Sequence, residues 1–159
     1  LQVLRPELAS PHVLHQPLEC GVNVIAAHCA TKSGLFDPQY FEALVTMLGK
    51  YPNLYTDISA LNTPVRSSVI SRCFQPGIVE RLVHGSDFPV PVMGTWAWMR
   101  GLIDWKTYRK WETHPNPLER DYQLKRAMGF PEETFTRINQ ILRLPEQGTS
   151  PHFGEGTDS

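Results

Sequence analysis

ERLVHGSDFPVPV, residues 80–92, is the stretch from which the fold of this chain can be worked out. Its early Leu-Val pair predicts a short buried strand, and Gly85 allows another backbone or a ligand to come close. Pro89 and Pro91 cannot continue the hydrogen-bond ladder of a sheet, so the strand ends before them. We therefore expect Asp87 at the tip of this strand, presented to its surroundings.

Two earlier stretches have the same construction. VNVIAA, residues 22–27, is an uninterrupted apolar run that predicts a strand covered on both faces, and it leads directly into His28. NLYTDIS, residues 53–59, predicts another strand and contains Asp57 near its end. Short strands that each end on an ionisable side chain are typical of an α/β domain with its site along one rim.

Helical sequence separates these strands. Asp37 and Pro38 predict the start of a helix, and residues 65–74 predict another, followed by a short helix from Pro76. The first helix has an apolar stripe at i, i+3, i+4 and i+7, formed by Phe41, Leu44, Val45 and Leu48. Strand-helix-strand connections make neighbouring strands parallel, so the three ionisable residues should emerge from the same edge of the sheet.

The last third of the chain is predicted to be helical and rich in tryptophan. All four tryptophans lie within residues 95–113, where they either pack over the rim and the side of the sheet or form a substrate platform. Further helices are predicted at residues 118–128 and 131–142. The composition of residues 145–159 predicts a disordered tail.

The composition fits one globular domain and argues against several classes of function. The chain has 159 residues, 41% of them hydrophobic and 19% charged, and a formal net charge of -1. Because no basic tract is present, we expect neither a nucleic-acid partner nor binding to an anionic membrane, and no apolar run reaches the roughly 20 residues of a transmembrane helix. The three cysteines, Cys20, Cys29 and Cys73, fit reduced thiols and hence a cytoplasmic location.

A histidine and two carboxylates at neighbouring strand ends are donors that a divalent metal accepts. His28 would supply nitrogen and Asp87 oxygen to Zn²⁺ or Mn²⁺, and such a metal acidifies water and polarises a carbonyl. Each residue also has a structural explanation. His28 could hydrogen-bond within the core, Asp57 could cap the next turn, and Asp87 could form a turn before Pro89.

The same residues carry a resemblance to a known family. AHC at residues 27–29, NLYTDIS at 53–59 and HGSDFP at 84–89, in this order, resemble the carboxyl-terminal half of the amidohydrolase-related family. This family comprises metal-dependent TIM-barrel hydrolases and decarboxylases. The resemblance implies that residues 1–144 form the carboxyl-terminal part of a (β/α)8 barrel.

The resemblance also implies roles for individual residues. His28 matches the strand-end histidine that binds metal. Asp87 matches the last-strand aspartate that contacts the metal or takes the proton from its water, which makes it both a ligand and the catalytic base. Asp57 is a further candidate, for orienting either the substrate or His28. The expected cofactor is Zn²⁺, with Mn²⁺ as the alternative.

The sequence departs from the family pattern in two places. No His-x-His pair, which follows the first strand in the family, is present in the chain. Where some decarboxylating relatives carry a further histidine, this chain has Ala60, Leu61 and Asn62, which counts against that particular chemistry. A full barrel takes about 250 residues, and the chain begins at Leu1 without methionine, so we expect a fragment that needs an amino-terminal half or a second copy.

Together these observations predict a metal-dependent hydrolase that uses metal-activated water on a small carbonyl or carboxylate compound. A non-oxidative decarboxylase of the same fold is the nearest alternative. From a different class of function, the chain could be a catalytically inactive half-barrel that acts as an interaction module.

Overall fold

The computed structural model of the chain describes residues 10–142, apart from residues 33, 35 and 36. In this part, three parallel strands form one sheet in the order β1-β2-β3. The strands are β1 (Val24–Ala26), β2 (Leu54–Asp57) and β3 (Leu82–Val83). The prediction of an α/β fold with a parallel sheet is confirmed. The barrel half stays a prediction, and the expected disordered tail lies outside the described residues.

Eight α-helices surround or follow the described strands. They are α1 (His15–Glu19), α2 (Phe41–Lys50), α3 (Ile70–Cys73), α4 (Thr95–Met99), α5 (Trp105–Glu112), α6 (Pro117–Ala127), α7 (Glu132–Thr136) and α8 (Ile138–Ile141). Short 3₁₀ turns occur at Pro11–Leu14, Ala27–Ala30, Ser67–Val69 and Val79–Arg81. None of the described helices is both long and apolar enough to cross a bilayer.

The register of the sheet brings the strand ends together. Ala26 of β1 pairs with Thr56 of β2, and Asp57 pairs with Val83 of β3. Because the carboxyl ends of parallel strands lie at the same edge, the segments that follow β1, β2 and β3 meet there. This edge is the rim that the sequence predicts.

Part of the core lies between the sheet and α2. Phe41, Leu44 and Leu48 of the predicted stripe are buried and belong to the same apolar cluster as Leu54 and Leu82 of the strands. The amphipathic pattern of α2 therefore identified its buried face correctly.

Several predicted boundaries are wrong. The helix expected at Pro38 begins at Phe41, because the Asp37 carboxylate accepts a hydrogen bond from the Gly34 N–H, at 2.7 Å, and does not cap the helix. β1 begins later than predicted, because the Val22 N–H donates to the Pro17 carbonyl and the residue is 52% exposed. In both places, side-chain and loop hydrogen bonds compete with the regular hydrogen bonds of the helix or the strand.

The region predicted as one helix at residues 65–74 contains only the Ser67–Val69 turn and α3. The tryptophan-rich region divides into α4 and α5, and Trp98, Trp105 and Tyr108 form a ring cluster with centroids 5.0–5.6 Å apart. Trp98 and Trp105 keep exposed surface in this cluster.

Candidate functional site

Left-handed backbone follows all three strands at the rim. After β1, His28, Cys29 and Ala30 have φ values of 55°, 52° and 49°; after β2, Ala60 has 50°; after β3, Asp87 has 62°. Non-glycine residues rarely adopt these angles, and each such residue costs about 1–3 kcal/mol unless its surroundings hold it. Strain of this kind concentrates at functional sites, and two of the five residues are those that the sequence singled out.

The Asp57 carboxylate holds the left-handed turn at His28. Its Oδ1 accepts hydrogen bonds from the His28 backbone N–H, at 2.8 Å, and from the Ser59 backbone N–H, at 3.0 Å. The Ser59 hydroxyl also donates to the same oxygen. One carboxylate oxygen therefore joins the segments after β1 and β2, and through it Asp57 contacts the backbone of His28.

The hydrogen bonds of the His28 ring determine its tautomer. Nδ1 lies 2.6 Å from the Ser59 hydroxyl oxygen and 3.3 Å from the Ser59 carbonyl oxygen. A carbonyl oxygen only accepts, and the Ser59 hydroxyl proton is already directed to Asp57, so Nδ1 must be the donor. In the neutral ring, Nε2 is left with a free lone pair, which is the form that a metal ligand requires.

Asp87 faces this lone pair. Its Oδ2 lies 3.7 Å from His28 Nε2, which is too long for a hydrogen bond, and 3.4 Å from Nη1 of Arg66. The His28 and Asp87 side chains are 24% and 31% exposed, so both reach solvent at the rim, whereas the Arg66 side chain is only 10% exposed. A largely buried guanidinium thus compensates the charge of Asp87 from one side. His28 lies on another side of the same carboxylate.

The pair of His28 and Asp87 fits part of a metal site. Two ligands of a tetrahedral zinc ion lie about 3.3 Å apart when each bond is near 2 Å, which is close to the observed 3.7 Å between Nε2 and Oδ2. Across the described residues, however, no group of three His, Cys, Asp or Glu side chains could hold one ion. A catalytic zinc site uses about three protein ligands, so this pair supplies two and further donors are needed.

A buried polar cluster lies behind the segment that follows β3. Asp121 and Lys125 of α6 are almost fully buried and pair at 2.7 Å between Oδ2 and Nζ. The His84 Nε2–H donates to the same Oδ2 at 3.1 Å, and the Lys125 Nζ donates to the Gly85 carbonyl at 2.7 Å. Burial lowers the pKa of Lys125 from its usual 10.5, while attraction to Asp121 and the hydrogen bond to it act in the opposite direction.

Two cysteines pack beneath His28. The Cys29 and Cys73 sulfurs lie 3.9 Å apart in the core, and the Cys29 thiol donates to the Asp57 carbonyl. Their hydrogen bond and burial raise the pKa of Cys29 well above its usual 9.0. A buried thiol with a raised pKa is a poor nucleophile, so Cys29 supports the turn at His28 and is not a reactive group.

The structure thus brings His28, Asp57 and Asp87 to one place, as the sequence predicts, and joins the first two directly. Sequence reasoning missed Ser59 and Arg66. Ser59 could have been noticed from its position two residues after a strand-end aspartate, where such side chains bond to one another. Arg66 gave no signal, because only the packing of the segment after β2 places it beside Asp87.

The two histidines near the start of the chain are not part of this site. His12 and His15 contact each other, with 3.3 Å between ring nitrogens, and His15 is hydrogen-bonded to the Tyr51 hydroxyl. Neither of these contacts involves a rim residue.

Comparison with known proteins adds no name to this site. No family model, no curated protein and no solved structure matches the chain.

Proposed function

We propose that this chain is part of a metal-dependent hydrolase of the amidohydrolase type, which acts on a small compound with a carbonyl or carboxylate group. The observation that carries the proposal is that His28 Nε2 and Asp87 Oδ2 lie 3.7 Å apart at the rim, while His28 Nδ1 is the donor to Ser59. When the ring is neutral, its Nε2 lone pair and the carboxylate face each other, and a shared cation would be attracted to both. The barrel fold is proposed with it, since the resemblance of the motifs supports both.

Each residue has a defined task in this proposal. His28 and Asp87 hold a divalent cation, Zn²⁺ or alternatively Mn²⁺, which when bound acidifies water and polarises a carbonyl. Asp87 accepts the proton that the attacking water gives up. Asp57, through Ser59, keeps the His28 ring in the tautomer that leaves Nε2 free.

The remaining ligands of the cation lie outside this pair. The resemblance leads us to propose that a His-x-His pair supplies them, either from an amino-terminal half or from a second copy. We therefore expect the chain by itself to bind metal more weakly than a complete site, since affinity depends on the number of protein ligands.

Cobalt binding tests the metal site directly. Co²⁺ accepts the same nitrogen and oxygen donors as Zn²⁺ and reports its coordination by visible absorption. We expect one Co²⁺ per wild-type chain at pH 7 and loss of that absorption in His28→Ala. His12→Ala is the matched control, because it breaks the close His12–His15 pair, which lies away from the proposed site. Absorption that disappears only in His12→Ala, or that never forms, would contradict the proposed site.

Turnover tests the role of Asp87. The metal-loaded protein would be assayed on small amides, esters and carboxylic acids, with release of acid and release of CO₂ measured separately. We expect Asp87→Asn to lower turnover by about 10²–10⁴-fold, the usual contribution of a general base. Turnover unchanged by this substitution would remove Asp87 from the mechanism.

The position of the Arg66 guanidinium is the reason for a second candidate function, a decarboxylase of the same fold. The guanidinium lies 3.4 Å from Asp87 and is largely buried, and guanidinium groups recognise carboxylates by paired hydrogen bonds. In the turnover assay, CO₂ release without hydrolysis would favour this candidate. Because no three-donor group exists within the described residues, absence of both metal and turnover would favour an inactive interaction module.

A further inference from the structure

A fully buried ion pair lies directly behind the proposed metal site, and its hydrogen bonds extend beyond its own helix. Asp121 and Lys125 are one turn apart on α6, with 0% and 1% of their side chains exposed. Removing two charges from water is expensive, and an apolar pair of similar volume often serves stability equally well. Stability alone is therefore a weak reason for these two residues.

The hydrogen bonds of the pair show which segments of the chain it holds in place. The Lys125 Nζ donates to the Gly85 carbonyl, at 2.7 Å, two residues before Asp87. Asp121 accepts from His84 with one oxygen, at 3.1 Å, and from the Asn62 amide with the other, at 3.5 Å. Asn62 follows β2, and residues 84–87 follow β3. Asp121 and Lys125 thus connect helix α6 to two of the three segments that end at the rim.

Asp87 needs such support. It adopts a left-handed φ of 62°, and a strained backbone of this kind persists only where the surroundings hold it. The Lys125 hydrogen bond to the Gly85 carbonyl fixes the backbone that leads to Asp87. The attraction between Lys125 and the carboxylates of Asp57 and Asp87 also favours this arrangement.

We propose that Asp121 and Lys125 are positioning residues for Asp87. Through the Gly85 carbonyl and the His84 ring they hold residues 84–87 so that the Asp87 carboxylate faces His28. This inference rests on the proposed metal site for its functional meaning, but the anchoring of residues 84–87 can be measured without any metal.

The test uses a variant that removes both charges together. Asp121→Leu with Lys125→Met replaces the pair by apolar side chains, which buried ion pairs generally tolerate, but it lacks the donor to Gly85. We expect a cooperative thermal transition and a Co²⁺ affinity about 10- to 100-fold below wild type, the range seen when partners behind metal ligands are removed. In the metal-free protein, hydrogen exchange of the His84 and Val90 amides, which donate to the Thr134 and Asp87 carbonyls, should accelerate relative to the core strands.

Arg126→Met is the matched control, because Arg126 lies on the same helix, is exposed and pairs with Glu132 away from the cluster. It should leave both cobalt affinity and exchange at wild-type values. A folded double variant with unchanged exchange and unchanged cobalt affinity would overturn the positioning role.

The two proposals can fail separately. If the wild type binds no Co²⁺ but exchange of the His84 and Val90 amides rises in the double variant, the anchor stands and the metal site is wrong. If the wild type binds Co²⁺ and the double variant binds it equally well with unchanged exchange, the anchor is wrong. Should the double variant not fold, Lys125→Met with Asp121→Asn removes the same donor to Gly85 and leaves a neutral acceptor at position 121, and unchanged exchange and affinity there would likewise overturn the inference.

Discussion

Gly85 leaves little room for a side chain at the rim. A Cβ at this position would lie 3.2 Å from the Ser59 Cβ and 3.6 Å from the Asp57 Cβ. These are the two residues that hold His28 in place. The sequence predicts the approach of another backbone or a ligand at Gly85, whereas the groups that approach in the structure are side chains of the segment that follows β2.

Gly85→Ala is therefore expected to destabilise the protein. The added methyl group must push Ser59 aside, and overpacking of this kind costs about 1–3 kcal/mol. Gly49→Ala is the control, because a Cβ at Gly49 meets nothing within 4 Å and alanine should stabilise α2 by about 0.5–1 kcal/mol. Urea unfolding of both variants measures the difference, and equal stability of the two would contradict the steric argument.

At the scale of elements, helix α6 positions the buried pair, and its start is fixed by a side-chain cap. Asn116 Oδ1 accepts hydrogen bonds from the Leu118 and Glu119 amides, at 3.0 and 3.3 Å, and Pro117 occupies the first turn. This arrangement satisfies backbone donors that have no partner inside the helix. The same cap sets where Asp121 and Lys125 lie along the helix.

Removal of this cap should modestly lower the stability of the whole domain. We expect Asn116→Ala to lower the free energy of unfolding by about 1 kcal/mol, because the two amides lose their acceptor. Asn116→Asp keeps an acceptor at the helix start and should remain close to wild type. Chemical denaturation of the three proteins is the measurement, and a neutral Asn116→Ala would show that water replaces the cap without loss.

At the scale of the whole molecule, two buried groups make stability depend on alkaline pH in opposite directions. The pKa of Cys29 is raised by its hydrogen bond to Cys73 and by burial, so its stabilising contribution is present below pH 9.0 and is lost as pH rises through its native pKa. The pKa of Lys125 is lowered by burial from 10.5. Between that lowered value and 10.5 the unfolded chain binds a proton that the folded chain does not, so stability rises with pH.

Comparison with the double variant isolates the lysine. Asp121→Leu with Lys125→Met leaves Cys29 unchanged, so the difference in unfolding free energy between wild type and variant reports only the removed pair. As the pH rises from the lowered pKa of Lys125 towards 10.5, we expect the free energy of unfolding of wild type to increase relative to that of the variant. The increase should be at most about 1.4 kcal/mol per pH unit. Denaturation at a series of pH values measures the slope, and a flat difference would mean that Lys125 titrates normally when folded.

The framework of this protein follows from patterns along its chain. Apolar runs that stop at His28 and Asp57, and the prolines after Asp87, were enough to predict a parallel sheet with three ionisable residues at one edge. The 3.6-residue stripe of α2 identified its buried face. These features are local, because periodicity and proline restrict the backbone within a few residues of themselves.

The hydrogen bonds and ion pairs that hold the rim together join residues far apart along the chain. The Ser59 link to His28 spans 31 residues, the Arg66 contact to Asp87 spans 21, and the Lys125 hydrogen bond to Gly85 spans 40. Within PLERDYQLKRA, Lys125 has the surroundings of a solvent-facing helical lysine, yet packing of α6 against the segment after β3 buries it. The physical reason is that local pattern reports whether a segment is buried, whereas the partner of a polar side chain depends on elements that meet only after the chain has folded.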